Sequence, residues 1–149
     1  MGNPEELGVI CTVDTVLLTL CGGALHVALL KREHAPFEGV LALPGGYVRT
    51  RQDNDTRDAA ARVLRDKAGI ESPYLEQLAT FSGPGRDPRG WSISVAYYAL
   101  VPEALLRAGH GAVSLLPVER LPALPFDHKS IIAAALQRVR AKSQYSSLP

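Results

Sequence analysis

The sequence predicts an α/β sandwich around a mixed β-sheet. Two observations carry that expectation. Strand-like segments are spread along the whole chain and are interrupted by two segments of helical period. The first two strand segments are apolar nearly throughout, which suits a sheet covered on both faces. A chain of 149 residues with 46% hydrophobic residues can bury a core, and its length fits a single domain over residues 1–149.

In chain order, Val9 to Leu20 reads as a strand rich in Val, Leu and Thr. Cys21-Gly22-Gly23 is a turn signal, and Ala24 to Leu30 is the second arm of a hairpin. Glu33 to Gly39 is a loop. The short strand Val40-Leu41-Ala42-Leu43 follows and is stopped by Pro44-Gly45-Gly46. Residues 47–54 are polar and irregular. A helix then runs from Asp55 or Thr56 to Ala68. Asp55 offers an N-cap oxygen, Ala60, Leu64 and Ala68 form the buried stripe, and Gly69 is a C-terminal stop. Tyr74 to Phe81 is strand-like, and Ser82 to Gly90 is a loop of Gly, Pro and Arg. Trp91 to Val101 is the longest alternating strand, with Ile93, Val95 and Tyr97 on one face. Leu115 to Val118 is a short strand. Asp127 to Lys142 is an amphipathic helix that turns Ile131, Ile132, Ala135, Leu136 and Val139 inward. Ser143 to Pro149 is a polar tail.

Composition removes several function classes. The net charge of +1 gives no overall field for nucleic acid or an anionic membrane. No apolar run reaches the roughly 18 residues of a membrane span. The acidic start Met1-Gly2-Asn3-Pro4-Glu5-Glu6 lacks the basic region of a signal peptide. Cys11 and Cys21 have neither metal-ligand spacing nor the density of a disulfide scaffold, so a reduced, cytoplasmic setting is expected.

The stretch that carries chemistry is Leu43-Pro44-Gly45-Gly46, followed by Arg62-Val63-Leu64-Arg65-Asp66-Lys67-Ala68-Gly69-Ile70. It resembles the Nudix box, a loop–helix–loop that holds divalent metal against a nucleoside diphosphate joined to another group. The resemblance implies a Nudix-type α/β/α sandwich. Gly46, Arg62, Leu64, Gly69 and Ile70 match the box frame, but its carboxylates are mostly gone. Counting forward from Gly46 puts Gln52 at the first glutamate position, whereas counting back from Arg62 puts Asn54 there. Two extra residues lie between the halves of the box. Val63 stands beside the arginine where a glutamate belongs, and Asp66 and Lys67 take the paired-glutamate positions.

Positions 63, 66 and 67 share one helix face, where three carboxylates could hold Mg²⁺ or Mn²⁺. Val63 supplies no oxygen. Lys67 brings an ammonium, and two unit charges ~4 Å apart repel by roughly 4 kcal/mol at an effective dielectric of 20. Lys67 either replaces the metal as a point charge on a pyrophosphate or merely solvates the helix. Val63 reads best as part of the apolar stripe.

The segments Pro73-Tyr74-Leu75-Glu76-Gln77-Leu78, Arg86-Asp87-Pro88-Arg89-Gly90-Trp91 and Phe126-Asp127-His128 are similar to the Nudix-like domain of the Nudix-related transcriptional regulators of NAD metabolism. That resemblance implies a domain that senses ADP-ribose or a related nucleotide, weakly catalytic or inactive, needing no metal to bind. It also implies a homodimer, and a winged-helix DNA-binding domain following where the 143–149 tail stands. No DNA or membrane binding is expected of this chain alone.

The candidate ligand contacts are Arg32, Gly45, Gly46, Arg62, Lys67, Arg86, Asp87, Arg89 and Trp91. Arg86 and Arg89 sit among flexible glycines and suit phosphate, although Asp87 is placed to pair with one of them across Pro88. Trp91 suits either adenine stacking or core packing. Asp127 reads as the N-cap of the last helix, with His128 in its first turn. His26, His34 and His110 are isolated. Lys129, Arg138, Arg140 and Lys142 line one exposed helix face. The alternative is a working Mg²⁺- or Mn²⁺-dependent hydrolase of ADP-ribose-like compounds, with Asp66 as the catalytic carboxylate and Asp53, Asp55, Asp58 and Asp66 as substitute metal ligands. A third reading is a dimerisation module whose cleft is vestigial.

Overall fold

The computed structural model describes residues 8–71, 73–109 and 112–146. His110 and the end of the polar tail, 147–149, lie outside the described residues. Seven strands form one mixed sheet. They are β1 (Ile10–Cys21), β2 (Ala24–Lys31), β3 (Leu41–Ala42), β4 (Gly45–Tyr47), β5 (Glu76–Gly83), β6 (Ser92–Leu100) and β7 (Val113–Pro117). The helices are α1 (Thr56–Val63), α2 (Glu103–Arg107) and α3 (His128–Ser146). The central path is β3-β2-β1-β6-β5, with β4 paired to β1 and β7 to β2. Among the described residues only the β1–β6 pair is parallel, so the sheet is mixed.

The apolar character of β1 follows from burial on both faces. Val13 and Leu17 pack with Ala59, Ala60, Val63, Leu64 and Ala68 on the α1 side. Val16 and Leu18 pack with Ile131, Ile132 and Ala135 of α3 on the other. The alternation of period two thus feeds two cores, which makes the three-layer α/β/α sandwich. Ala60, Leu64 and Ala68 lie in the first core, and the inward set on α3 lies in or against the second. Among the described residues no helix is long and apolar enough to cross a membrane.

Several local features depart from the sequence reading. Gly45 and Gly46 do not merely stop a strand: they form β4, pairing Thr12 with Tyr47 and Asp14 with Gly45. Glycine is required there. A Cβ on Gly45 would stand against Asp14 Oδ1 and only 2.7 Å from the Val13 carbonyl oxygen.

The helix after Asp55 is not uniform. It is α-helical to Val63, then widens into a π-helical turn over Leu64–Ala68. Gly69 closes it in the left-handed conformation at φ 65°, and Ile70 N–H reaches back to the Leu64 carbonyl. At its start Asp58 N–H donates to Asp55 Oδ1, and Asn54 N–H donates to Asp58 Oδ2. The first bond caps the first turn, and the second ties the residue before the N-cap to it. Helix α2 was not anticipated, because five residues give too little periodicity to read. Helix α3 runs into the expected polar tail as far as Ser146.

Candidate functional site

The fork in β1 opens the site. Its first half pairs with β4 and its last residues pair with β2, so the chain between β3 and β4 runs across the gap. Thr15 fixes that crossing, donating from its N–H and its hydroxyl to the Pro44 carbonyl, both at 2.9 Å. The result is a cleft of about 940 Å³, walled by β1, the end of β2, the 43–49 segment, α1, the 86–89 loop and the start of α3. A volume of this size suits a small ligand rather than a macromolecule.

On the helix wall, Val63 is 1% exposed and belongs to the core. Lys67 is exposed along its length, but its ammonium reaches into the cleft and donates to the Gly45 carbonyl at 2.5 Å. Burial of that ammonium lowers its pKa, the nearby Arg32 lowers it further, and Asp14 opposes the shift. Asp66, the candidate catalytic carboxylate, points away. It is half exposed, sits 3.7 Å from Arg65 and does not line the cleft.

The other substitute metal ligands are engaged elsewhere. Asp55 and Asp58 cap α1. Asp53 places its two oxygens in the Arg62 guanidinium fork at 2.8 and 2.9 Å and also accepts from Arg49 N–H. The Arg62 hydrogen bond is the main reason its carboxyl titrates below the usual range. Arg62 also lines the cleft and donates to the Tyr47 carbonyl, so its fork is engaged in holding the 47–53 loop onto α1. The arginine's partner, Asp53, lies between the two positions that counting gives, Gln52 and Asn54.

A divalent ion does not fit these residues. Among the described residues no three of His, Cys, Asp and Glu come together. The helix face that would hold the ion carries a buried valine and a cation instead.

The opposite wall is rich in arginine, much of it paired. Arg86 donates to both oxygens of Asp127 at 2.6 and 2.9 Å and to the Ser92 hydroxyl. Asp127 stands at the start of α3 as expected, its carbonyl accepting from Ser130 and Ile131 N–H, while its carboxylate anchors the 83–90 loop through Arg86. Asp87, 4% exposed, takes three hydrogen bonds from Arg89. Burial opposes its charge, yet those bonds and the positive charges of Arg89 and Arg86 together outweigh burial and hold its pKa below the usual range. Arg89 retains a contact with the Tyr47 hydroxyl at 2.6 Å and lies over the Tyr47 ring, 5.0 Å from its centroid. Arg32 donates to the Pro36 carbonyl and lies 5.0 Å from the Phe126 centroid.

Trp91 does not reach the cleft. It stands just before β6 and is 45% exposed. It shares the parity of Val95, which packs against the α1-side core, whereas the cleft residues Thr12 and Asp14 pair with Ser94 and Ala96 of the other parity.

Sequence reasoning missed several lining residues: Thr12, Asp14, Tyr47, Phe126 and His128. His128 is 3% exposed and accepts from Leu43 N–H through Nδ1 at 3.1 Å. Asp14 is 6% exposed and accepts from the Ser94 hydroxyl at 2.5 Å. A buried carboxylate in an otherwise apolar strand, Asp14 among Val and Leu, was the signal available.

The sequence profile of the NUDIX domain matches residues 12–137. The chain is 36% identical over 93% of its length to the ADPR responsive transcriptional repressor NtrR of Acinetobacter baylyi. It is 35% identical over 71% of its length to an ADP-ribose pyrophosphatase of Methanocaldococcus jannaschii. It spans 57% and 63% of the length of those two relatives. The NUDIX domain of Shewanella oneidensis NrtR, complexed with ADP ribose, matches with a TM-score of 0.79 at 34% identity, covering 93% of this chain and 94% of that one.

Proposed function

The chain belongs to the NUDIX domain family, and from that premise we propose that its cleft binds ADP-ribose or a related nucleoside diphosphate derivative without a divalent ion. The observation that carries this reading is the Lys67 ammonium inside the cleft, on the helix face where box carboxylates would hold metal. A fixed cation neutralises a pyrophosphate as a point charge, and it activates no water. Arg32 and Arg89 add positive charge around the Phe126 ring, a surface on which a base can stack. The likeness to an ADPR responsive repressor and to a domain complexed with ADP ribose favours a sensing role in NAD metabolism over turnover.

Calorimetry with ADP-ribose, with and without EDTA, tests the reading. Binding that persists in chelator supports it, and binding abolished by EDTA removes it. The hydrolase reading draws on the likeness to an ADP-ribose pyrophosphatase. It predicts Mn²⁺-dependent AMP release at about 1 s⁻¹ or more, an ordinary enzyme rate. That rate in the wild-type protein would return Asp66 and Asp58 to consideration as metal ligands.

DNA binding is not assigned to this chain alone. The apolar stripe of α3 packs on the sheet, and Arg138 and Lys142 are tied to Glu76. A mobility shift of submicromolar affinity at physiological salt would overturn that part. A homodimer belongs to the same reading, and a monomer mass by sedimentation at micromolar concentration would remove it.

A further inference from the structure

We propose that Asp14 receives a sugar hydroxyl of the bound ligand, so that the site recognises a phosphate together with the ribose next to it. The inference rests on the proposed nucleotide binding and adds the part of the ligand that the β1 wall reads.

Asp14 is held from two sides. The Ser94 hydroxyl donates to its Oδ2 at 2.5 Å, and its Oδ1 lies 3.3 Å from His128 Nε2. Because His128 Nδ1 accepts the Leu43 N–H, a neutral imidazole carries its proton on Nε2, facing Asp14. Strand β6 and helix α3 therefore fix the orientation of the carboxylate before any ligand arrives. A carboxylate offers about four acceptor sites, and these two donors account for about half of them. Asp14 lines the cleft, so an acceptor of fixed direction is available there.

The neighbouring charges decide what that acceptor takes. Gly45 lies against Asp14 Oδ1, and its carbonyl accepts from the Lys67 ammonium. An acceptor and a cation thus stand on either side of one glycine. A phosphate at Asp14 would be repelled, whereas a neutral donor is not. A phosphate at Lys67 with a hydroxyl at Asp14 satisfies both groups, and a sugar phosphate carries the two within one residue's span. A site built around a hydroxyl donor also rejects analogues that lack it, because the buried acceptor is then left without a partner.

The hydroxyl belongs either to the adenosine ribose or to the terminal ribose. Calorimetry on wild type and Asp14→Asn with three ligands separates the two. The ligands are ADP-ribose, its 2′,3′-dideoxyadenosine form, and ADP, which lacks the terminal ribose. The expected result is a roughly tenfold to hundredfold loss of ADP-ribose affinity in Asp14→Asn, the range for hydrogen bonds to a charged group. That loss should shrink to under about threefold on whichever analogue lacks the contacted hydroxyl. A loss equal across all three ligands, or no loss, overturns the inference. Equal loss would mean that Asp14 only ties β1 to β6 and α3. Where the variant fails to fold by thermal melt, wild type alone decides: analogues bound within about twofold of ADP-ribose overturn the inference. A wild-type protein that binds none of the three overturns the function reading, and this inference with it. Binding without coupling strikes only the role of Asp14.

Discussion

On the helix wall of the cleft stand Val63 and Lys67, with one side chain buried in the core and one cation reaching into the open space. On the facing wall stand Arg86 and Arg89, and each guanidinium is already held by a carboxylate, Asp127 or Asp87. The loop wall holds more cations, yet the Lys67 ammonium on the helix wall donates to a backbone carbonyl, that of Gly45, rather than to a carboxylate. The difference teaches that a charge counted in the sequence is not a charge available to a ligand. Arg62, Arg86 and Asp53 hold the fold together because their partners lie within reach, whereas Lys67 faces the cleft, since Val63 offers it no oxygen and Asp66 turns to Arg65.

The sharpest way to break this comparison is to restore a box carboxylate. Val63→Glu puts a charge among Val13, Leu17 and Leu64, at a position that is 1% exposed. It should cost about 4 kcal/mol of stability, read by denaturant unfolding. A stable variant that binds Mn²⁺ would show that the face still accepts a metal. Next comes Lys67→Glu. It should weaken ADP-ribose binding about 100-fold in EDTA, about 2.7 kcal/mol, while leaving the melting temperature nearly unchanged.

Arg86→Met should show the opposite pattern. It leaves Asp127 unpaired beside the start of α3 and should cost about 2 kcal/mol of stability, with affinity falling only as far as the loop loosens. If Arg86→Met left stability intact and abolished binding, the division between the two walls would be wrong.

The smallest effect belongs to an exposed cluster away from both walls. Glu76 joins β5 to α3 through Lys142, the Tyr98 hydroxyl and Arg138, which together lower its pKa from 4.5 to about 2. A depressed carboxylate stabilises the fold above its unfolded pKa and loses that contribution as pH falls through the folded one. The wild-type melting temperature should therefore drop between about pH 4.5 and pH 2, partly through Glu76. Glu76→Gln should flatten that part of the profile and lower the neutral-pH melting temperature by about 2 °C at most, since the side chain is one-third exposed and screened by solvent. An unchanged acid profile would show that the three partners do not act on Glu76 in solution.

The strands and the two long helices were legible because their signals are local. β1 and β2 announce themselves by apolar runs around Gly22-Gly23, and α1 by an Asp55 cap and the Ala60-Leu64-Ala68 stripe. β4 was not legible, because three residues containing two glycines carry no periodicity, and only the β1 edge makes them a strand. The π-helical turn at Leu64–Ala68 was equally hidden, since its residues fit an ordinary helix. In the site, Lys67, Gly45 and Gly46 could be named from the box and Arg32 from its place at the end of the second strand, and all of them line the cleft, as do Arg62, Arg86, Asp87 and Arg89. Trp91 could not be oriented without its strand register, and the choice between Gln52 and Asn54 could not be settled by counting across an extended loop.

By itself the sequence determined the α/β class, the two-sided sheet, the box frame and the loss of its carboxylates. These depend on residue type and spacing along the chain, which need no partner to be read. Only the tertiary structure decided that Asp53 answers Arg62, that Asp127 holds Arg86, and that Asp14, Ser94 and His128 meet across β1, β6 and α3. Those pairings join residues as many as 114 positions apart, Asp14 and His128 being the farthest. A buried charge takes the partner that the fold brings within hydrogen-bonding distance, whatever its place in the chain.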